Sequence, residues 1–326
     1  MTSRSVSMSL MPMLGKSVTL FSALGGGTLW LVTPFLPLPG PGFASLEHGF
    51  LFMPLVASPL GLALMAQLLE SNGRRRPRLL RAAQQLQPAA ALLTLVSFWL
   101  PTGPAAGTLT LGWLAMAVLV AISGLPSAMR EAGGRLANLN LLVAPLFLPV
   151  GAVWLLLSRL GMGPRHFAAT TVLLAALHFH FSGFTLQLLL TATRRALSCR
   201  RLLALNRISS VGAVAGIPLI AVGNLASSPN VKLLGVTAMV LATVLLGVTL
   251  NALAHRTPER TPRTLLRIAA VSIASAMLLA AVYGVGERTG AGFIGLSSMT
   301  LVHGLLNGVG FTLPALLGFL SLRQRP

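Results

Sequence analysis

The sequence predicts an all-α, polytopic integral membrane protein: a bundle of about ten transmembrane helices with both termini in the cytoplasm. Three observations carry that expectation. Of 326 residues, 54% are hydrophobic and 9% charged, whereas roughly 25% of the residues in an average soluble domain are charged. The charges fall in short clusters separated by about 20 apolar residues, the length that crosses about 30 Å of hydrocarbon. The apolar runs are also continuous. Lipid cannot hydrogen-bond a bare backbone, so a spanning chain is helical or a closed barrel, and continuous runs exclude the alternation of a barrel.

Taken in order, the expected spans are 17–38, 48–69, 84–101, 107–125, 138–158, 166–191, 208–226, 232–254, 268–285 and 293–320. The first follows Arg4 and Lys16, and Gly42-Phe43-Ala44 has the small residues of a signal-peptidase site. Its apolar core exceeds a usual signal-peptide core, and Pro34, Pro37, Pro39 and Pro41 intervene, so the segment is expected to stay. The tenth span is long enough to tilt or break. Residues 1–16 and 321–326 are read as cytoplasmic tails around a single transmembrane domain, 17–320, and no connection is long enough for a soluble core.

The connections set the orientation. With the N-terminus inside, twenty Lys and Arg fall on the cytoplasmic side, in the tails and in the groups Arg74 to Arg81, Arg130 and Arg135, Arg194 to Arg207 and Arg256 to Arg267. Only Arg159, Arg165, Lys232 and Arg288 fall outside. This is the positive-inside bias, and removing any one span would mix the two sets. The net charge of +19 is therefore read as facing the anionic inner leaflet of the lipid bilayer. No nucleic-acid partner is expected, because the arginines line no single face or tail. Cys199 is the one cysteine; it rules out an intrachain disulfide and is read as an ordinary free thiol rather than an acylation site.

Ionisable groups inside spans are costly and mark function by default. His178 and His180 lie in the sixth span, and His303 in the tenth. By helical rise, His178 sits roughly 18 Å and His303 roughly 16 Å below the start of its span, so the two reach a similar depth. Residues two apart point about 200° away from each other, so His178 and His180 serve opposite faces unless Gly183 permits a local distortion. Asn307 lies one turn below His303. Glu47, one of five acidic residues, opens the second span beside His48. It is expected above the histidine layer as a solvated helix-start carboxylate, unless the stretch 34–44 folds inward. Plain interhelical hydrogen bonding is the simplest role for one intramembrane histidine; three at one depth favour a site. Gly183-Phe184-Thr185-Leu186 recurs as Gly310-Phe311-Thr312-Leu313, and His48-Gly49 as His303-Gly304. Spans two, six and ten would share one direction, so a four-helix period and chance similarity are both open.

The segments His178-Phe179-His180-Phe181-Ser182-Gly183-Phe184 and His303-Gly304-Leu305-Leu306-Asn307-Gly308-Val309-Gly310-Phe311 resemble the YndJ-like family of bacterial membrane proteins. The resemblance covers most of the membrane region. It implies a location in the bacterial inner membrane and supplies no mechanism. Two functional classes follow from the residues. One is an intramembrane enzyme or redox protein in which His178, His180 and His303 bind a transition metal or haem, or act as acid/base groups, on a lipophilic small molecule, with Asn307 and Glu47 as further candidates. The other is a secondary transporter with a midplane His/Asn site. No coupling carboxylate lies within a span, which tilts the reading to the first.

Overall fold

The computed structural model describes residues 4–35, 45–70, 76–132, 139–164, 166–292 and 294–322. The Pro-rich run 36–44 with its proposed inward fold and cleavage site, Arg74, Arg75, Arg135, Arg165 and the C-terminal arginines lie outside the described residues. What is described is an all-α bundle of ten long helices: α1 (Arg4–Val32), α2 (45–70), α3 (Arg78–Ser97), α4 (Pro104–Ala132), α5 (Leu139–Leu160), α6 (Ala169–Ala196), α7 (Arg200–Leu225), α8 (Pro229–Arg256), α9 (Arg260–Thr289) and α10 (Leu296–Ser321). α1 begins thirteen residues before the expected span, at Arg4.

Nine of the ten are long and apolar enough to cross a membrane; α3 is the exception. Its N-terminal half carries Arg78, Arg81, Gln84, Gln85 and Gln87. The two buried glutamines explain how so polar a helix fits. Gln84 Nε2 donates to the Leu62 carbonyl at 3.1 Å and Gln87 Nε2 to the Pro54 carbonyl at 2.7 Å, while Ser22 Oγ donates to Gln87 Oε1 at 2.7 Å. Arg76, ahead of the helix, pairs with Glu70 at 2.6 Å and with Gln84 Oε1 at 2.8 Å. α3 thus turns its polar face to α2, where a hydropathy average cannot register that the groups are satisfied.

The helices are arranged with a four-helix period. α3, α4 and α5 pack in series as one antiparallel unit, and α7, α8 and α9 as another. Between them stand α2, α6 and α10, which touch one another, and α1 packs on α2. α2 is almost wholly buried, and α6 is the next most buried span. Each of these three central helices, and no other described helix, is interrupted by a π-helical segment: Met53–Ala57 in α2, Phe179–Thr185 in α6 and Leu306–Thr312 in α10. The three segments also contact one another. The tenth span stays helical throughout, with its π segment near the centre, and the recurring Gly-Phe-Thr stretch closes the π segment in both α6 and α10.

A π segment disturbs the regular ladder of backbone hydrogen bonds, and in each central helix a side-chain donor reaches a carbonyl within or just ahead of it. Gln87 serves Pro54, Gln187 Nε2 serves Ser182 at 3.0 Å, and Asn307 Nδ2 serves His303 at 2.8 Å. Gln187 is itself held by Asn140 Nδ2 at 2.5 Å. Glycines allow the close approaches. A Cβ at Gly26 of α1 would run into the Leu55 backbone carbonyl, and one at Gly61 would lie 2.9 Å from the Phe184 ring.

Candidate intramembrane histidine site

The π segment of α6 starts directly after His178 and separates the two histidines' surroundings. His180 is fully buried: Nδ1 lies 2.7 Å from the Ala176 carbonyl, and Nε2 accepts from the Trp113 indole N–H at 2.9 Å. Phe50 meets its ring edge-on at 5.6 Å. Gly151 makes the space, since a Cβ there would stand 2.6 Å from Nδ1. Both nitrogens of His180 are occupied by protein.

His178 differs. It is exposed in the protein although it lies midway along α6, and its Nδ1 is 2.7 Å from the Leu174 carbonyl. His303, half-buried on α10, places Nδ1 3.0 Å from the Ala276 carbonyl of α9. His178 and His303 are close enough to interact electrostatically. A carbonyl only accepts, so in the neutral ring each Nδ1 carries the hydrogen and each Nε2 presents a lone pair. No described side chain donates to either Nε2. The carbonyl contact also orients the ring and raises the basicity of the opposite nitrogen.

Two contacts set the level of α2 against these rings. The Phe50–His180 contact aligns residue 48 with 178, and the Phe52 ring lies against Gly308, which aligns residue 47 with 303. On three helices running the same way, His48, His178 and His303 fall within about one turn of each other. By this register Glu47 falls near the level of His303, and its electrostatic contact is with Arg159 of α5. His48 is half-buried, stacked on Trp30 with centroids 4.6 Å apart and with Nδ1 3.3 Å from Thr33 Oγ1; the Trp30 indole donates to its carbonyl at 2.9 Å.

Arg159, expected among the outer connection charges, instead lies within the last turn of α5. It is only 4% exposed, donates through Nη2 to the carbonyls of Ser97 at 2.9 Å and Leu100 at 2.8 Å, and sits 4.5 Å over the Phe98 ring. Its Nε has no partner among the described residues, and Glu47 acts on it electrostatically. An arginine in the last turn of a span looks the same in sequence whether it turns out or in. The role of Trp113 is likewise invisible in sequence, since it depends on a facing helix.

A metal would find limited donors here. Among the described residues no group of three or more His, Cys, Asp or Glu is gathered to hold a metal ion. His178 and His303 offer two neutral imidazoles, half of a tetrahedral set, and His180 is committed to Trp113 and Ala176.

The family model for YndJ-like proteins matches residues 50–311. The chain belongs to the YndJ-like family. In this YndJ-like chain the matched stretch takes in His178, His180, His303, Asn307, the π segments of α2 and α6 and all but the last residue of that of α10, while Glu47 and His48 precede it. No curated protein and no solved structure matches the chain.

Proposed function

We propose that this YndJ-like protein resides in the bacterial inner membrane with both termini in the cytoplasm, and that His178 and His303 form an acid/base pair acting on a lipophilic small molecule. One observation carries the reading. Two imidazoles on different helices lie within electrostatic reach of each other, each with Nδ1 on a carbonyl and no described side chain on Nε2. Neutral imidazole is the side chain best matched to proton transfer near neutral pH. His178 is exposed, and the neighbouring outer half of α10 buries none of its residues, so a substrate dissolved in the bilayer has access from the side. Asn307, held on the His303 carbonyl, is a positioning residue. Should a metal or haem bind, His178 and His303 are the residues that would hold it, with the remaining ligands from outside this pair.

Carbethoxylation of the detergent-solubilised protein, mapped by mass spectrometry, tests the site. His178 and His303 should react and His180 should not. Adding back a total lipid extract should protect the first two if a lipophilic ligand binds there. Equal reactivity of all three, or no protection at any lipid concentration, would reject the reading. Metal analysis with an optical spectrum on the same preparation separates the chemistries: near-stoichiometric metal or haem lost in His178→Ala and His303→Ala would replace acid/base chemistry by ligation.

A second reading has an observation of its own. Three interrupted helices in contact at the bundle centre are the kind of element from which transporters build midplane sites. Uptake into proteoliposomes that depends on His178 and His303 would favour it.

A further inference from the structure

A second feature lies away from the histidines, on the bilayer-facing side of α7 and α8. The two helices are drawn together at their middle: the Ser209 hydroxyl donates to the Ala242 carbonyl, and a Cβ at Gly212 would stand 3.1 Å from Ala242 Cβ and 3.2 Å from the Ala238 carbonyl oxygen. Small residues at the seam leave a groove between the larger side chains that flank it. The groove is open to the side, has a volume of about 420 Å³ and is lined by the small residues Gly212, Ala238 and Ala242 and the larger Ile208, Val211 and Leu241. Those three larger residues are 52%, 53% and 54% exposed.

Arg207 closes one end. It lies seven residues into α7, roughly 10 Å along the helix, which on the charge-derived topology is the inner boundary of the hydrocarbon. Its side chain is exposed and makes no hydrogen bond or ion pair with any described residue. A guanidinium at that boundary reaches the headgroup layer, where anionic lipid attracts it, and it matches phosphate oxygens geometrically.

We infer that the α7–α8 groove binds an anionic phospholipid of the inner leaflet, with an acyl chain along Gly212 and Ala238 and the headgroup phosphate on Arg207. Apolar length and a cation at one end fit an amphiphile better than a second helix, which would leave the guanidinium unpaired.

Native mass spectrometry of the delipidated full-length protein tests this with dioleoyl phosphatidylglycerol and dioleoyl phosphatidylcholine, which differ only in the headgroup. Phosphatidylglycerol should be retained about fivefold better, the factor expected for one arginine near an anionic headgroup. Arg207→Gln should remove the preference, Arg207→Lys should keep most of it, and Ala238→Leu, which fills the groove, should weaken both lipids. Equal retention of the two lipids by the wild type, or a preference that survives Arg207→Gln, would overturn the assignment. So would a protein dimer that excludes lipid and is abolished by Ala238→Leu, since the occupant would then be a second copy. If Ala238→Leu does not fold, the pair of Arg207 variants decides alone.

Discussion

The Trp113 indole N–H donates to His180 Nε2 at 2.9 Å while His180 Nδ1 rests on the Ala176 carbonyl, so one of the two histidines of the sixth span is saturated by protein. Its neighbour two residues back keeps a free Nε2. The same residue type in one short motif therefore has a structural member, inside the π segment, and a candidate chemical member, just ahead of it.

Trp113→Phe removes the donor and leaves a buried acceptor unsatisfied. The expected cost is about 1–2 kcal/mol, seen as a lower unfolding temperature in detergent. His178→Ala, at an exposed position, should move that temperature far less. The reverse order would show that His178, not His180, is the packing histidine.

Adjacent glycines of α1 should respond oppositely to a methyl group. A Cβ at Gly25 meets nothing within 4 Å, whereas one at Gly26 strikes the Leu55 backbone carbonyl in the π segment of α2. Gly25→Ala should stabilise by up to about 1 kcal/mol through helix propensity. Gly26→Ala should destabilise by about 1–3 kcal/mol because backbone cannot be repacked. Chemical denaturation of the two variants checks this, and equal effects would mean that α1 does not pack against the π segment.

Topology turns on α3, the one long helix with a polar half. Reporter fusions after Arg81, Arg135, Arg207 and Arg267 should read cytoplasmic, and fusions at Thr102 and Lys232 external. A cytoplasmic reading at Thr102 would mean that α3 lies within the bundle without crossing, and it would invert every later connection.

Cys199 stands at the residue that precedes α7, on the cytoplasmic side of that topology. The backbone N–H groups of Leu202 and Arg201, with the Arg256 side chain, hold its thiol below the ordinary range. A depressed value keeps the thiolate at lower pH, so the midpoint of maleimide labelling against pH should lie below that of a free thiol. Arg256→Gln should move the midpoint partway back up. A midpoint at the free-thiol value in the parent protein would mean that these groups do not act on the thiol.

The sequence by itself determined the class of protein and most of its helices, because the free energy of placing side chains in hydrocarbon depends on composition and length and needs no partner. It also contained the candidate histidines, the opposed faces of His178 and His180, and the recurring Gly-Phe-Thr stretches, which fall at the ends of two π segments. Tertiary structure decided what each polar group is for. The buried amides of α3 become intelligible only against the carbonyls of α2, and Arg159 is a buried donor to Ser97 and Leu100 rather than a loop charge. The commitment of His180, the freedom of His178 and the level of Glu47 likewise arise from residues far away in the chain. Hydrogen-bond satisfaction and depth are properties of pairs of helices, and a single span carries no record of which neighbour it will meet.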